Sequence, residues 1–390
     1  MKRIYLDHAA ATPVDIGVLR VVTETLKKIP GNPSALHQEG VAARAVLENA
    51  RVDIGTVLSA HPDEIVFTSG ATEANNMALV GVVEAARARG VENPHVIISA
   101  IEHPSVLRAV EALSREGVRV DYLSVDQGGV VNLKELRGLI TKDTVLVSVM
   151  YVNNEVGTIE PIRDIAKEVR HARKMNDSMY PLFHTDAAQA TPYCNLNVLQ
   201  LGVDLMTLSS GKVYGIRGIG ALFIRRGVHS APMMYGGDHE AGRRPGTESP
   251  ALACGFAYAL TYAQNIKGKE SSRLAKLRDK LAQLILKNIP GSSLNGNLDT
   301  MAPHIVNISI PGIDSESLVL YLDAAGIAVS GRSACTSSST EVSHVILALG
   351  KAGEGEAGAL RFSLGRATGA AEITCVVKEL QRIVKLLNKK

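Results

Sequence analysis

The sequence predicts an α/β protein: a large domain built on a mainly parallel sheet, then a smaller α+β C-terminal domain. Short apolar, β-branched runs alternate with longer amphipathic patterns from Glu64 to Ile224. That is the βαβ rhythm of a mainly parallel sheet covered on both faces. After about residue 250 the rhythm gives way to long helical patterns and sparser strands. The 390 residues, 46% hydrophobic and 21% charged, exclude a disordered chain and suffice for a large core.

Strands are expected at residues 64–68, 95–99, 118–124, 144–151, 182–185, 204–208 and 220–224, with helices such as 72–89 and 162–173 between them. Two helical patterns, 250–264 and 270–287, precede strands at 304–310, 326–330 and 359–364. In the last helix Ile373, Val376, Val377, Leu380, Ile383, Val384 and Leu387 recur at three- and four-residue spacings, so one face lies on a core. A large domain is expected at 16–255 and a smaller one at 256–390.

Charge nearly balances, 42 Lys plus Arg against 39 Asp plus Glu, which argues against a nucleic-acid-wrapping role. Cys194, Cys254, Cys335 and Cys375 are far apart, with no CxxC. A structural zinc site or disulfide framework is not expected. Asp7 and His8 precede any apolar run that could form a signal peptide. The longest uncharged stretch, after Glu248, is Ala, Gly, Tyr and Thr, and suits a buried helix better than a membrane span. A reduced, soluble, cytoplasmic protein is expected.

In open α/β sheets ligands sit beyond the carboxyl ends of the strands. After the first strand come Ser69, Gly70, Ala71 and Thr72, opening a helix. Such a start is a phosphate cradle, or a plain N-cap and turn. After the second comes His103 before Pro104; after the fourth, Asn153 and Asn154, which suit a ligand oxygen or an ordinary turn. Asp186 ends the fifth, able to enter the crevice or to cap the next helix. Lys212 comes after the sixth, amid Ser and Gly. An amine nucleophile needs such a place; a solvated surface lysine would fit it too. Together these are the requirements of pyridoxal phosphate: a Schiff-base lysine, an acid for the pyridine nitrogen and a phosphate anchor.

The chain resembles the cysteine desulfurases of the class V aminotransferase group. The resemblance is carried by residues 5–13 (YLDHAAATP), GNPSALH at 31–37, TSGATEANN at 68–76, EHPS at 102–105, NNEVGT at 153–158, HTDAAQA at 184–190, RPGTES at 244–249, SGRSACTSSS at 330–339 and RFSLGR at 361–366. It implies fold type I, a homodimer, and an N-terminal arm, 1–15, joined to the smaller domain. It implies Lys212 as the Schiff-base lysine and proton shuttle. Asp186 would hold the pyridine nitrogen, and His103 would stack on the ring and assist acid–base steps. Asn154 and Gln189 would touch the ring oxygen. Ala71, Thr72 and Ser209 would hold the phosphate, with Thr247 arriving from the other subunit. Asn32 and Arg361 would bind the substrate carboxylate.

Cys335 sits among small polar residues, with Arg332 near in sequence to favour the thiolate. The resemblance makes it the residue that takes sulfur from L-cysteine, leaving alanine, and hands a persulfide to an acceptor protein. An iron–sulfur scaffold or a tRNA-thiolation relay would be that acceptor, with no membrane and no direct nucleic-acid contact. Rival readings are a selenocysteine lyase or other class V lyase, and a weakly catalytic sulfur-transfer partner. The chain departs from the family pattern where Gly211 replaces the usual His before the lysine, and where Ile216 and Arg217 replace Pro-Lys.

Overall fold

The structure, a computed structural model, describes residues 3–331, 343–350 and 358–388. The arm opens with β1 (Ile4–Tyr5), followed by α1 (Ile16–Lys28) and α2 (Gln38–Leu58). Asp15 caps α1 by accepting from the Gly17 N–H. Then come β2 (Ile65–Thr68), α3 (Ala71–Ala88), β3 (His95–Ser99), α4 (Pro104–Arg115), β4 (Arg119–Leu123) and α5 (Leu133–Leu139). They are followed by β5 (Thr144–Ser148), α6 (Ile162–Asn176), β6 (Leu182–Asp186), α7 (Val198–Leu201), β7 (Leu205–Ser209) and β8 (Gly220–Ile224).

These strands form one seven-stranded sheet in the order β2-β8-β7-β6-β5-β3-β4. Only β8 runs against its neighbours. The two-residue alternation of strand side chains sorts the core onto two faces. Phe67, Ile97, Val147, Phe183, Met206 and Phe223 pack on one. Val66, Ile98, Leu146, Leu182, Leu205 and Leu222 pack on the other.

The second half holds α8 (Pro250–Asn288), β9 (Ser293–Asn295), β10 (Ile305–Ile310), α9 (Ser315–Ala324), β11 (Ile327–Ala328), α10 (His344–Ala348), β12 (Gly358–Ser363) and α11 (Ala370–Leu387). A three-stranded antiparallel sheet, β12-β10-β9, packs with α9 and α11 into a separate core that includes Ile4 and Leu6 of the arm. β1 pairs in parallel with β11.

Three expectations need correction. Residues 250–264 and 270–287 are one helix, not two. The polar stretch between them breaks the apolar pattern because it lies between cores: Leu260 and Ala263 serve one, Leu274 and Leu281 the other. The 255/256 boundary thus falls inside α8. The strand expected at 144–151 ends at Ser148, because the Met150 N–H goes to Glu102 Oε1 instead of a neighbouring strand. The strand expected at 326–330 is only Ile327–Ala328. Ser330 beyond it exchanges backbone hydrogen bonds with Arg361.

Candidate active site

β3 and β5 are neighbours, yet the chain leaves β3 towards β4 and leaves β5 towards β6. Strand order therefore switches between them, and a crevice opens at their carboxyl ends. A cavity of about 330 Å³ sits there, within the range of small-molecule sites. Its lining brings together Ala71, Thr72, His103, Asn154, Asp186, Gln189, Ser209, Lys212 and Arg361.

Lys212 lies on a single 3₁₀ turn, Ser210–Lys212, after β7. Gly215 lets that turn close, since a Cβ there would stand 2.1 Å from Ser210 Oγ. The arm braces it: Thr12 donates from N and Oγ1 to Gly211 O, and accepts from the Tyr214 N–H. Lys212 Nζ donates to the carbonyls of Ala9 and Ala10, at 2.7 and 2.6 Å. Gln189 Nε2 donates to the same Ala9 carbonyl at 2.8 Å.

Asp186 ends β6, beside β7, and is buried. Its carboxylate accepts from Asn75 Nδ2 at 2.7 Å and from the Ala188 N–H at 2.9 Å. His103 is the N-cap of α4, with Pro104 at the first helical position. Burial pulls the His103 pKa below its usual value; nearby Lys212 adds to this and Asp186 opposes it. Arg361, 3% exposed, donates from Nη1 to Asn154 O and from Nη2 to Asp7 Oδ1. Its buried Nε has no partner among the described residues.

Two groups near the cavity stay uncharged at neutral pH. Burial pushes Glu102 up to about 8, against hydrogen bonds from Ser99 Oγ and the Met150 N–H. Burial pulls His184 down to about 4, its ring spanning Ser148 Oγ and Thr207 Oγ1.

Two expected residues lie outside this cavity. Asn32 is exposed, and its side chain accepts from the Ser34 N–H at 2.9 Å. Thr247 lines an adjacent cavity with Thr68 and Ser69. Cys335 and Arg332 fall outside the described residues. Asn75, Ser105, Asp7 and the Ala9 and Ala10 carbonyls are functional neighbours that sequence reasoning passed over. Asp7, Ala9 and Ala10 belong to the arm motif at 5–13, Asn75 to TSGATEANN and Ser105 to EHPS. A larger cavity of about 670 Å³ lies elsewhere, but its Arg51 and Glu240 are already joined in a two-pronged buried ion pair.

The residues present fit pyridoxal phosphate. Gly70, the N-cap of α3, has no side chain to cap the helix, so the first amides of its eighteen residues meet the cavity at Ala71 and Thr72. Such an end binds phosphate through N–H groups and the helix dipole. Asp186 accepts one hydrogen bond each from Asn75 and Ala188 and keeps acceptor capacity for a pyridine N–H. Lys212 places a primary amine in the same cavity.

Comparisons with known proteins agree. The model for "Aminotransferase class-V" matches residues 4–376. "Cysteine desulfurase IscS" of Dictyoglomus turgidum is 40% identical over 388 residues, covering 99% of this chain and 96% of that protein. "Cysteine desulfurase, mitochondrial" of Saccharomyces cerevisiae is also 40% identical, covering 98% of this chain and 75% of that protein. A solved structure titled "NIFS-LIKE PROTEIN" superposes with a TM-score of 0.90 at 33% identity, covering 98% of this chain and all of that one.

Proposed function

Because the chain belongs to the class V aminotransferase family, and is a fold type I, pyridoxal phosphate-dependent cysteine desulfurase, we propose how its residues divide the work. Lys212 Nζ would hold the cofactor and, once released, remove the α-proton of L-cysteine. Bound pyridoxal phosphate supplies the electron sink for that step. Asp186 would accept a charge-assisted hydrogen bond from the pyridine nitrogen and keep it protonated. His103 would lie against the ring, Asn154 and Gln189 would contact its oxygen, and Ala71, Thr72 and Ser209 would bind the phosphate. Arg361 grips the substrate carboxylate, because its buried Nε has no acceptor among the described residues. Asn32 joins it from the rim.

Cys335 thiolate then attacks the substrate sulfur. The Cβ–S bond breaks, its electron pair ends as a C–H bond of alanine, and Cys335 carries the persulfide. Ser330, backbone-paired to Arg361, supports this assignment, since five residues span at most about 18 Å. We further propose a homodimer in which Thr247 of a second copy completes the phosphate site, a persulfide acceptor such as an iron–sulfur scaffold or tRNA-thiolation relay, and a cytoplasmic location. No described helix is long and apolar enough to cross a membrane. A second domain joined by the arm is supported by the separate core around Ile4, Leu274 and Phe362, with the change from one core to the other inside α8, between Ala263 and Leu274.

The observation that carries this reading is the convergence of Lys212, Asp186 and Arg361 on one cavity. Sulfur-labelled cysteine tests it. Mass spectrometry should find one labelled sulfur on Cys335 for each first-turnover alanine, and label on another residue would overturn the assignment.

A further inference from the structure

A continuous buried hydrogen-bond chain joins Asp186 to His103. Asn75 Nδ2 donates one hydrogen to Asp186 Oδ2 at 2.7 Å and the other to Ser105 Oγ at 2.8 Å. Ser105 Oγ lies 2.8 Å from His103 Nδ1, and the Ser105 N–H donates to the same nitrogen at 3.1 Å. Asn75 is fully buried and Ser105 nearly so.

Donor counting gives the chain a direction. A backbone N–H can only donate, so His103 Nδ1 is an acceptor and carries no proton. Ser105 Oγ already receives a hydrogen from Asn75, which leaves its own single hydrogen for Nδ1. The ring's one proton is then on Nε2. The central amide donates both ways, so Asp186 stays an acceptor while Ser105 is turned towards His103. Neither Asn75 nor Ser105 lines the cavity; both act through residues that do.

We propose that Asn75 and Ser105 are positioning residues that lock His103 as its Nε2–H tautomer and hold Asp186 as a hydrogen-bond acceptor. This deepens the proposed function and rests on it for one consequence: His103 meets the reacting groups as a donor, so Lys212 is the base. The network itself does not depend on that reading.

Other charged groups also face His103. They are Asp186 from β6, Glu155 after β5, Lys212 after β7 and His344 of α10. The carboxylates favour imidazolium; Lys212, His344 and, most of all, burial oppose it. Ser105 adds a directional preference that those charges cannot supply.

Nitrogen NMR of the histidine-labelled full chain tests this, before and after pyridoxal phosphate is added. The wild type should show His103 protonated at Nε2 alone. Ser105→Ala should raise the His103 midpoint by about one pH unit, tenfold in proton affinity, as one hydrogen bond to the neutral ring is lost. Ser105→Thr should restore it, which a packing defect would not allow. Asn75→Ala should raise the midpoint by less, because Ser105 Oγ loses its fixed orientation towards Nδ1 while the Ser105 N–H still holds that nitrogen as an acceptor. An Nδ1–H ring in the wild type would overturn the proposal, even if neither variant folds. So would unchanged midpoints in folded variants. A confirmed tautomer in a protein that makes no alanine would instead refute the function and leave the network standing.

Discussion

Arg361 and Asp7 meet at 2.8 Å, Nη2 to Oδ1, across 354 residues of sequence. The pair joins β12 to the arm at the cavity wall, and both residues are held from the other side. Arg361 Nη1 donates to Asn154 O at 2.9 Å, and Asp7 bridges to Ser363. An arginine fixed at both terminal nitrogens has its plane set before any carboxylate arrives.

Asp7→Asn should therefore weaken cysteine binding more than turnover. Loss of a charged hydrogen bond costs about 1.5–3 kcal/mol, so KM should rise roughly tenfold to a hundredfold, with kcat falling less. Initial-rate alanine assays separate the two. A fall in kcat at constant KM would show that Asp7 does not work through Arg361.

Lys212→Ala should abolish alanine formation, a loss of several orders of magnitude, while the fold persists. Nζ lies among arm carbonyls rather than in a core. The wild type loaded with pyridoxal phosphate should absorb in the visible, and the variant's band should shift. A colourless wild type after loading would contradict the cofactor assignment.

Cys335→Ser should retain the cofactor band and lose nearly all alanine release. Cys194→Ser and Cys254→Ser should not. Burial pushes the Cys194 thiol up to about 12 and also raises Cys254, so neither supplies a thiolate at neutral pH. Matched losses in either control would point to the wrong thiol.

Gly211→His should tighten the cofactor by about tenfold, the effect of about 1.4 kcal/mol from one added phosphate donor. Space exists: a Cβ at 211 meets only Arg217 Cγ, at 3.4 Å. Arg217 is exposed and outside the cavity lining, so it does not already fill that role. Titration of cofactor-free protein, wild type against variant, checks it; unchanged affinity would mean a complete phosphate site.

Glu160→Gln should stabilise the protein at alkaline pH. Burial lifts Glu160 from 4.5 to about 8, despite the Val131 N–H on Oε2. The folded state thus holds a proton that the unfolded chain releases, and the wild type loses stability as pH rises from 4.5 towards 8. The slope is about 1.4 kcal/mol per pH unit for one such group. Glutamine cannot ionise, so urea midpoints of the two proteins should diverge between about pH 5 and pH 8. Parallel curves would show that Glu160 ionises freely in the fold.

Sequence alone reached the strand ends because strands there are apolar and the residues after them are not. His95–Ser99 and Gly220–Ile224 match to the residue. Asp186, His103, Asn154 and Lys212 were legible because each stands at or just past the carboxyl end of an apolar run. α1 and α2 are less legible: α1 buries only Val18 and Val22, and α2 spreads Ala, Gly and Val around much of its circumference. The joined α8 was hidden by solvated residues between its two cores. Asn75 and Asp7 escaped for another reason. Their partners are 111 and 354 residues away, and no local pattern announces a hydrogen bond of that span.

The arm carries one more implication, for the order in which the molecule comes into being. Its residues are made before those they pack on: Ile4 and Leu6 need a core built partly by Phe362 and Ile383, and Asp7 needs Arg361. Closing so long a loop costs chain entropy that only later contacts offset. A growing chain can therefore complete its seven-stranded sheet while Lys212 still lacks the carbonyls of Ala9 and Ala10. Competence then waits for one closing event, in which the arm meets residues more than 350 positions further along the chain.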